Sequence, residues 1–229
     1  MDAPNPFTAL PDTCQIVDLA EIYYKYFGCR SDGWFVDVGA YDGQNWSNTY
    51  GLIQLGWKGL LFEPHPDYYE KCASLYREYP HAKVVQLAIG DKEELTPLYL
   101  GGPLSTIVEN MIDIYNSMDW SRASRLDRGK STMVMMSKLD IQLKHHGWPP
   151  GFDLLSIDVE GAELQVMAGF SVGKWLPRMI IIETNEDSDD ERFSCKAAPI
   201  FKKLKRHGYQ KVYHDYLNTI YWRRNNVKL

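Results

Sequence analysis

Short apolar runs recur along the chain, each followed by a turn and then by a stretch with helical spacing. The runs are Trp34–Gly39 (WFVDVG), Gly59–Glu63 (GLLFE), Lys83–Gly90 (KVVQLAIG), Phe152–Asp158 (FDLLSID) and Met179–Glu183 (MIIIE). Several are apolar without alternation, the mark of strands covered on both faces, as in a parallel sheet. Between them the spacing predicts helices over Asn45–Leu55, Asp67–Tyr79, Gly161–Ala168 and Pro199–His207. The last has Pro199 in its first turn and Gly208 just past its end, matching the different needs of the two helix termini. Strand and helix in alternation predict an α/β, doubly wound sheet.

Three regions depart from this rhythm. Residues 1–31 read as an N-terminal helical extension, with Ile16, Leu19, Ala20, Tyr23 and Phe27 on one face of a helix over Ile16–Phe27. The stretch YQKVYHDYLNTIYWRR gives two strand-like pieces around a turn near Asp215, a hairpin that brings an antiparallel strand to the sheet. Residues 100–131 lack periodicity and are rich in Ser, Arg, Asp and Met, so they form either a lid or substrate wall or an inert surface loop. No repeat and no Gly/Ser-rich linker divides the chain, and 1–229 reads as a single domain.

Composition narrows the class. With 45% apolar and 24% charged residues, a 229-residue chain buries a sizeable core, which excludes collagenous and wholly disordered readings. No apolar run is long enough to span a bilayer, and MDAPNPFTALPDTC lacks the basic-then-apolar pattern of a secretory signal. Four cysteines lie far apart with no CxxC pair, which speaks against a disulfide framework or thiolate zinc site and for reduced thiols in the cytoplasm. The net charge of −5 is uneven: residues 196–229 hold nine Lys/Arg against one acid, Asp215. Phe201 and Leu204 set KKLKR (Lys202–Arg206) on the wet face of a helix, and no aromatic residues interleave it, which disfavours nucleic acid as a partner. Neither membrane binding nor nucleic-acid binding is expected, and a homo-oligomer stays open.

In open α/β sheets, ligands bind beyond the carboxyl ends of the strands. The first run ends in Asp37-Val38-Gly39-Ala40-Tyr41-Asp42-Gly43, a glycine turn that allows close approach to a ligand. It is not GxGxxG, and the Asp42 carboxylate would repel a pyrophosphate, which disfavours an NAD-type oxidoreductase. Glu63, twenty residues beyond Gly43, is placed to accept both hydroxyls of a ribose. Ala88 and Ile89 offer small apolar atoms to an adenine. With Asp37, Glu63, Asp91, Asp158 and Glu183, five predicted strand ends carry acids. Such a ring suits S-adenosyl-L-methionine, whose sulfonium and ammonium are positive and whose ribose needs acceptors.

FVDVGAYDGQNWSNTYGLIQLGWKGLLFEPHPDYY followed by DLLSIDVEGAELQVMAGF resembles the FkbM family of S-adenosylmethionine-dependent methyltransferases. The similarity runs from about Trp34 to Ile182, interrupted at 100–131, and IDVEGAE is its most specific part. The resemblance implies a Rossmann-like class I methyltransferase sheet of seven strands, one of them antiparallel. It also implies methyl transfer to hydroxyls of sugars and other natural products, with S-adenosyl-L-homocysteine as product. By position it implies that Asp37, Gly39, Ala40, Asp42 and Gly43 hold the methionine half. Asn48 would contact the methionine carboxylate or Asp42, Glu63 the ribose, and Pro64, Ala88 and Ile89 the adenine. Many members carry a lysine two residues before Asp158; here it is Ser156.

Transfer to a hydroxyl needs alignment and a destination for the acceptor proton. Asp158 is the first candidate for that task and Glu160 the second; a helix cap for the segment that follows is the other reading of Asp158. Glu163 reads as a first-turn acid, His65 as a solvated loop residue, and His145-His146 as a helix end. The run Glu186–Glu191 lacks the spacing of a calcium loop and reads as solvated, so no metal is expected. A methyltransferase fold kept as a non-catalytic binding or scaffold module is the alternative; the glycine turn together with Glu63 speaks against it.

Overall fold

The computed structural model describes residues 4–9 and 14–224; residues 1–3 and 10–13 of the N-terminal extension and 225–229 of the basic tail lie outside them. Its strands are β1 (Trp34–Val38), β2 (Lys58–Phe62), β3 (Ala82–Val85), β4 (Ala88–Gly90), β5 (Glu94–Tyr99), β6 (Ser131–Lys138), β7 (Leu154–Ile157), β8 (Met179–Glu183), β9 (Tyr209–His214) and β10 (Asn218–Arg223). Seven form one sheet in the order β3-β2-β1-β7-β8-β10-β9. The first five pair in parallel, and β10 runs antiparallel between β8 and β9. This is a Rossmann-like, mostly parallel sheet of seven strands, as the resemblance implies, with its one antiparallel strand in the C-terminal hairpin.

Burial on both faces explains the unbroken apolar runs. In β8, Ile180 and Ile182 join one core with Leu139, Leu143, Val166 and Ile200, while Met179 and Ile181 join the other with Leu19, Leu52 and Ile53. Helices Leu139–His145, Glu163–Ala168 and Ala197–Lys205 thus cover one face, and Leu19–Phe27, Tyr50–Gln54 and Pro66–Leu75 the other. Each fully buried Ile or Leu stabilises the fold by about 1.5–3 kcal/mol.

Several boundaries differ from those the sequence predicts. The run 83–90 is two strands: β3 closes the main sheet, while β4 pairs with β6 in a second sheet, β4-β6-β5. The helix expected from Asn45 starts at Tyr50, because the side chains of Asp42 and Ser47 take the amides of Gln44, Asn45, Thr49 and Tyr50. The leading helix starts at Leu19 instead of Ile16, because Asp18 is left-handed at φ 59°. Residues 100–131 hold a helix, Met111–Asn116, and a 3-10 turn, Asp119–Ser124, around buried Met111, Ile112, Ile114, Tyr115 and Leu126. Among the described residues, no helix is long and apolar enough to cross a membrane.

Candidate active site

Chain order reverses at β1, which has β2 on one side and β7 on the other. The crevice beyond such a point is where open α/β sheets take ligands. A cleft lies there, with about 960 Å³ of empty space when the open solvent at its mouth is included.

Most of the predicted cofactor residues meet in this cleft: Asp37, Gly39, Ala40, Asn48, Glu63, Pro64, Ala88 and Ile89 all line it. Gly39 sits at φ +92° beneath the carbonyl of Asp158, and the amides of Gly39 and Ala40 both donate to the Phe62 carbonyl at 3.0 Å. Glu63 is buried; its Oε2 accepts from the Tyr41 amide at 2.8 Å and its Oε1 from the His65 amide at 2.7 Å. Burial outweighs those two bonds and pushes the Glu63 carboxyl up to about 8. Asp37, buried at the end of β1, accepts from Thr49 Oγ1 at 2.6 Å and is raised to about 6 by the same loss of water.

Asp42 and Gly43 do not line the cleft. The Asp42 carboxylate is engaged by the amides of Gln44 and Asn45 at 3.0 and 2.8 Å and by Asn45 Nδ2 at 2.6 Å. Gly43 packs on Tyr76 and Cys72, and its carbonyl accepts from the Tyr76 hydroxyl. These two residues shape the turn from outside the cleft, in contrast to the direct contacts expected of them.

A second group gathers at the ends of β7 and β8. Asp158 has a buried Oδ1, and its carboxyl shares a hydrogen bond with that of Glu183. Glu160 is left-handed at φ 52°; its carboxylate accepts from the Tyr115 hydroxyl and its carbonyl from Thr106 Oγ1 at 2.8 Å. Burial and mutual repulsion with Glu183 hold the Asp158 and Glu160 carboxyls well above the usual range. Asp158 caps no helix: the next one begins at Glu163 with Ala162 as its cap. Glu163 is a first-turn acid, but a fully buried one, ion-paired with Lys196 at 2.8 Å. Asp158, Glu163 and Glu183 bring carboxylate oxygens within 4.8 Å of one another.

The histidines fall elsewhere. His65 is buried where a solvated side chain is expected; its Nδ1 caps the helix Pro66–Leu75 by accepting from the Asp67 amide at 3.2 Å. His145 and His146 end a helix away from the cleft lining. In the acidic run, Glu186 pairs with Lys211, Asp187 with His214 and Asp190 with Arg192.

Further residues line the cleft besides the candidates named from the sequence. Tyr41, Trp46 and Tyr68 form an aromatic cluster at the cleft, with Tyr41 and Tyr68 4.2 Å apart between centroids. Gly102, Pro103, Ser105 and Ile107 of the 100–131 segment line the cleft too, so of the two expectations for that segment the structure places it as a wall. The clustering of Tyr, Trp and Tyr around the glycine turn was a signal available in the sequence; the approach of Tyr115 and Lys196 had none.

The profile of the methyltransferase FkbM domain matches residues 37–211. The chain belongs to the FkbM methyltransferase family. The resemblance carried by the glycine turn and the IDVEGAE box therefore holds, and the cleft is that of an FkbM domain. No curated protein sequence matches it. Among solved structures, the FkbM chain is similar to a precorrin-6y C5,15-methyltransferase from Geobacter metallireducens (10% identity, TM-score 0.48, covering 94% of this chain and 95% of that one). It is also similar to the bifunctional kinase-methyltransferase WbdD (14% identity, TM-score 0.48, 94% of this chain and 40% of that one). A third is a fibrillarin/Nop5p complex (14% identity, TM-score 0.45, 96% of this chain and 83% of that one).

Proposed function

We propose that this FkbM domain uses S-adenosyl-L-methionine to methylate a hydroxyl of a sugar, glycan or other small natural product. The observation that carries the reading is the meeting, in one cleft, of buried Glu63, which keeps acceptor positions free, with Asp158 at the end of β7. A carboxylate offers about four acceptor sites, and the two backbone amides occupy two of those on Glu63, which leaves room for two ribose hydroxyls. Asn48 also lines the cleft and has a buried Oδ1 without a partner, an acceptor suited to the methionine ammonium. Gly39 lets the turn pass directly against the Asp158 carbonyl, where no side chain fits. The residues present thus fit the cofactor, with Ala88, Ile89 and Pro64 against its adenine.

When bound, the cofactor supplies a methyl group on a positively charged sulfur. The chain's own residues do the rest. Asp158 accepts the proton of the attacking hydroxyl at a carboxylate oxygen. Glu160 and Ser105, which also line the cleft, orient the acceptor, and apolar Leu98 and Ile107 keep water from it. In their ionised forms the cleft acids favour a cationic cofactor.

A panel of neutral sugars, glycosides and polyols incubated with methyl-deuterated S-adenosylmethionine tests the reading. Transfer of the labelled methyl to a hydroxyl, with S-adenosylhomocysteine formed in equal amount, is the expected result. Cofactor binding without transfer to any acceptor class would support the scaffold alternative, and transfer only to nitrogen or carbon would overturn the choice of hydroxyl.

A further inference from the structure

Lys196 stands among the acids at the ends of β7 and β8, and nothing above gives it a task. It precedes the helix Ala197–Lys205 and is only 6% exposed. Its Nζ donates to Glu163 Oε2 at 2.8 Å and lies 3.8 Å from Glu183 Oε2. Burying an ammonium is costly unless carboxylates compensate it, and here the acids outnumber it. Their attraction outweighs burial and keeps Lys196 charged.

The oxygens of Asp158, Glu163 and Glu183, all within 4.8 Å of one another, are spaced as if around a single cation. An ammonium and a divalent ion would compete for them. Lys196 reaches two of the three and is anchored by the start of its helix. It fixes Glu163 and Glu183, and the Glu183 carboxyl in turn shares a hydrogen bond with that of Asp158.

We propose that Lys196 is the resident cation of this carboxylate cluster and a positioning residue for Asp158, taking the place that a divalent metal would otherwise occupy. The positioning role rests on the methyltransferase reading; the cation role does not. With the cluster balanced from within, Glu183 holds Asp158 in place at the cleft wall and transfer calls on no added metal.

The test compares the wild type with Lys196→Met and Lys196→Arg. Binding of Mn²⁺ is followed by calorimetry, and S-adenosylhomocysteine binding is measured on the same samples. The wild type and Lys196→Arg should take up no Mn²⁺ at this cluster. Lys196→Met should take it up, and lose that uptake when Glu183→Gln is added. On an acceptor found by the panel, Lys196→Met should lower turnover by about 10- to 100-fold, with part of the loss restored by Mn²⁺ and little loss in Lys196→Arg. Chelation should leave wild-type turnover unchanged. Wild-type Mn²⁺ uptake that Glu183→Gln abolishes, or chelator-sensitive wild-type turnover, would overturn the proposal. So would a folded Lys196→Met that binds no Mn²⁺. If Lys196→Met does not fold, the wild-type and Lys196→Arg arms decide by themselves. A wild type that binds no S-adenosylhomocysteine defeats the methyltransferase reading, while the Mn²⁺ comparison still tests Lys196 as the cation.

Discussion

Gly39 lies so close to Asp158 that a side-chain carbon on it would sit 1.7 Å from the Asp158 carbonyl oxygen. The two residues follow neighbouring parallel strands, β1 and β7, and the Asp158 amide donates to the Val38 carbonyl at 2.9 Å. This contact joins the cofactor half of the cleft to the candidate catalytic half. Gly39→Ala must push the strands apart at a position already at φ +92°. It should cost roughly 2 kcal/mol or more of stability and weaken S-adenosylhomocysteine binding. Thermal melting and a binding titration check this; an unshifted melt would contradict the contact.

Glu63 links the cleft to pH. In the ligand-free protein its carboxyl is raised from 4.5 to about 8 by burial, so the folded state holds a proton that the unfolded chain releases. That contribution to stability is fully present below pH 4.5 and is lost as pH rises through about 8. Ribose hydroxyls favour the ionised form, so S-adenosylhomocysteine binding near neutrality should release a proton. Calorimetry in buffers of different ionisation enthalpy reads that proton, and Glu63→Gln should abolish its release while weakening binding by about 1.5–3 kcal/mol.

Asp158→Asn separates chemistry from binding. The transfer rate should fall by about two to four orders of magnitude, while affinity for S-adenosylhomocysteine changes little. Because Ala162 starts the following helix, a lost cap cannot account for a fall in rate. Single-turnover measurement with a labelled methyl group checks it, and near-wild-type turnover would remove Asp158 from the mechanism.

Tyr115→Phe removes the hydroxyl that ties the 100–131 segment to the Glu160 carboxylate. It should raise the KM for the acceptor by about tenfold, equivalent to roughly one hydrogen bond, while cofactor affinity holds. Steady-state kinetics in both substrates distinguish this from a general loss of stability, which would affect both.

The strands were legible because both faces of the sheet are covered: MIIIE reads as apolar throughout since Ile180 and Ile181 belong to different cores. Glu63 was legible because its distance from the glycine turn is set by one strand-helix-strand step. The second sheet was not, because β4 is three residues long and its partner β6 lies beyond the strand β5. The engagement of Asp42 was not legible for a local reason: its carboxylate satisfies its own turn, and composition does not show which way it faces. Lys196 meets Glu163 across 33 positions of sequence, a contact that depends on two separate helices packing on one end of the sheet.

The central claim is a cleft built for S-adenosylmethionine, and titration calorimetry of the wild-type chain tests it most directly. S-adenosylhomocysteine should bind at one site, NAD should give no binding heat, and Glu63→Gln should weaken the first signal in a protein that still melts cooperatively. A folded wild type that gives no heat with S-adenosylhomocysteine, or that binds NAD in its place, would contradict the account.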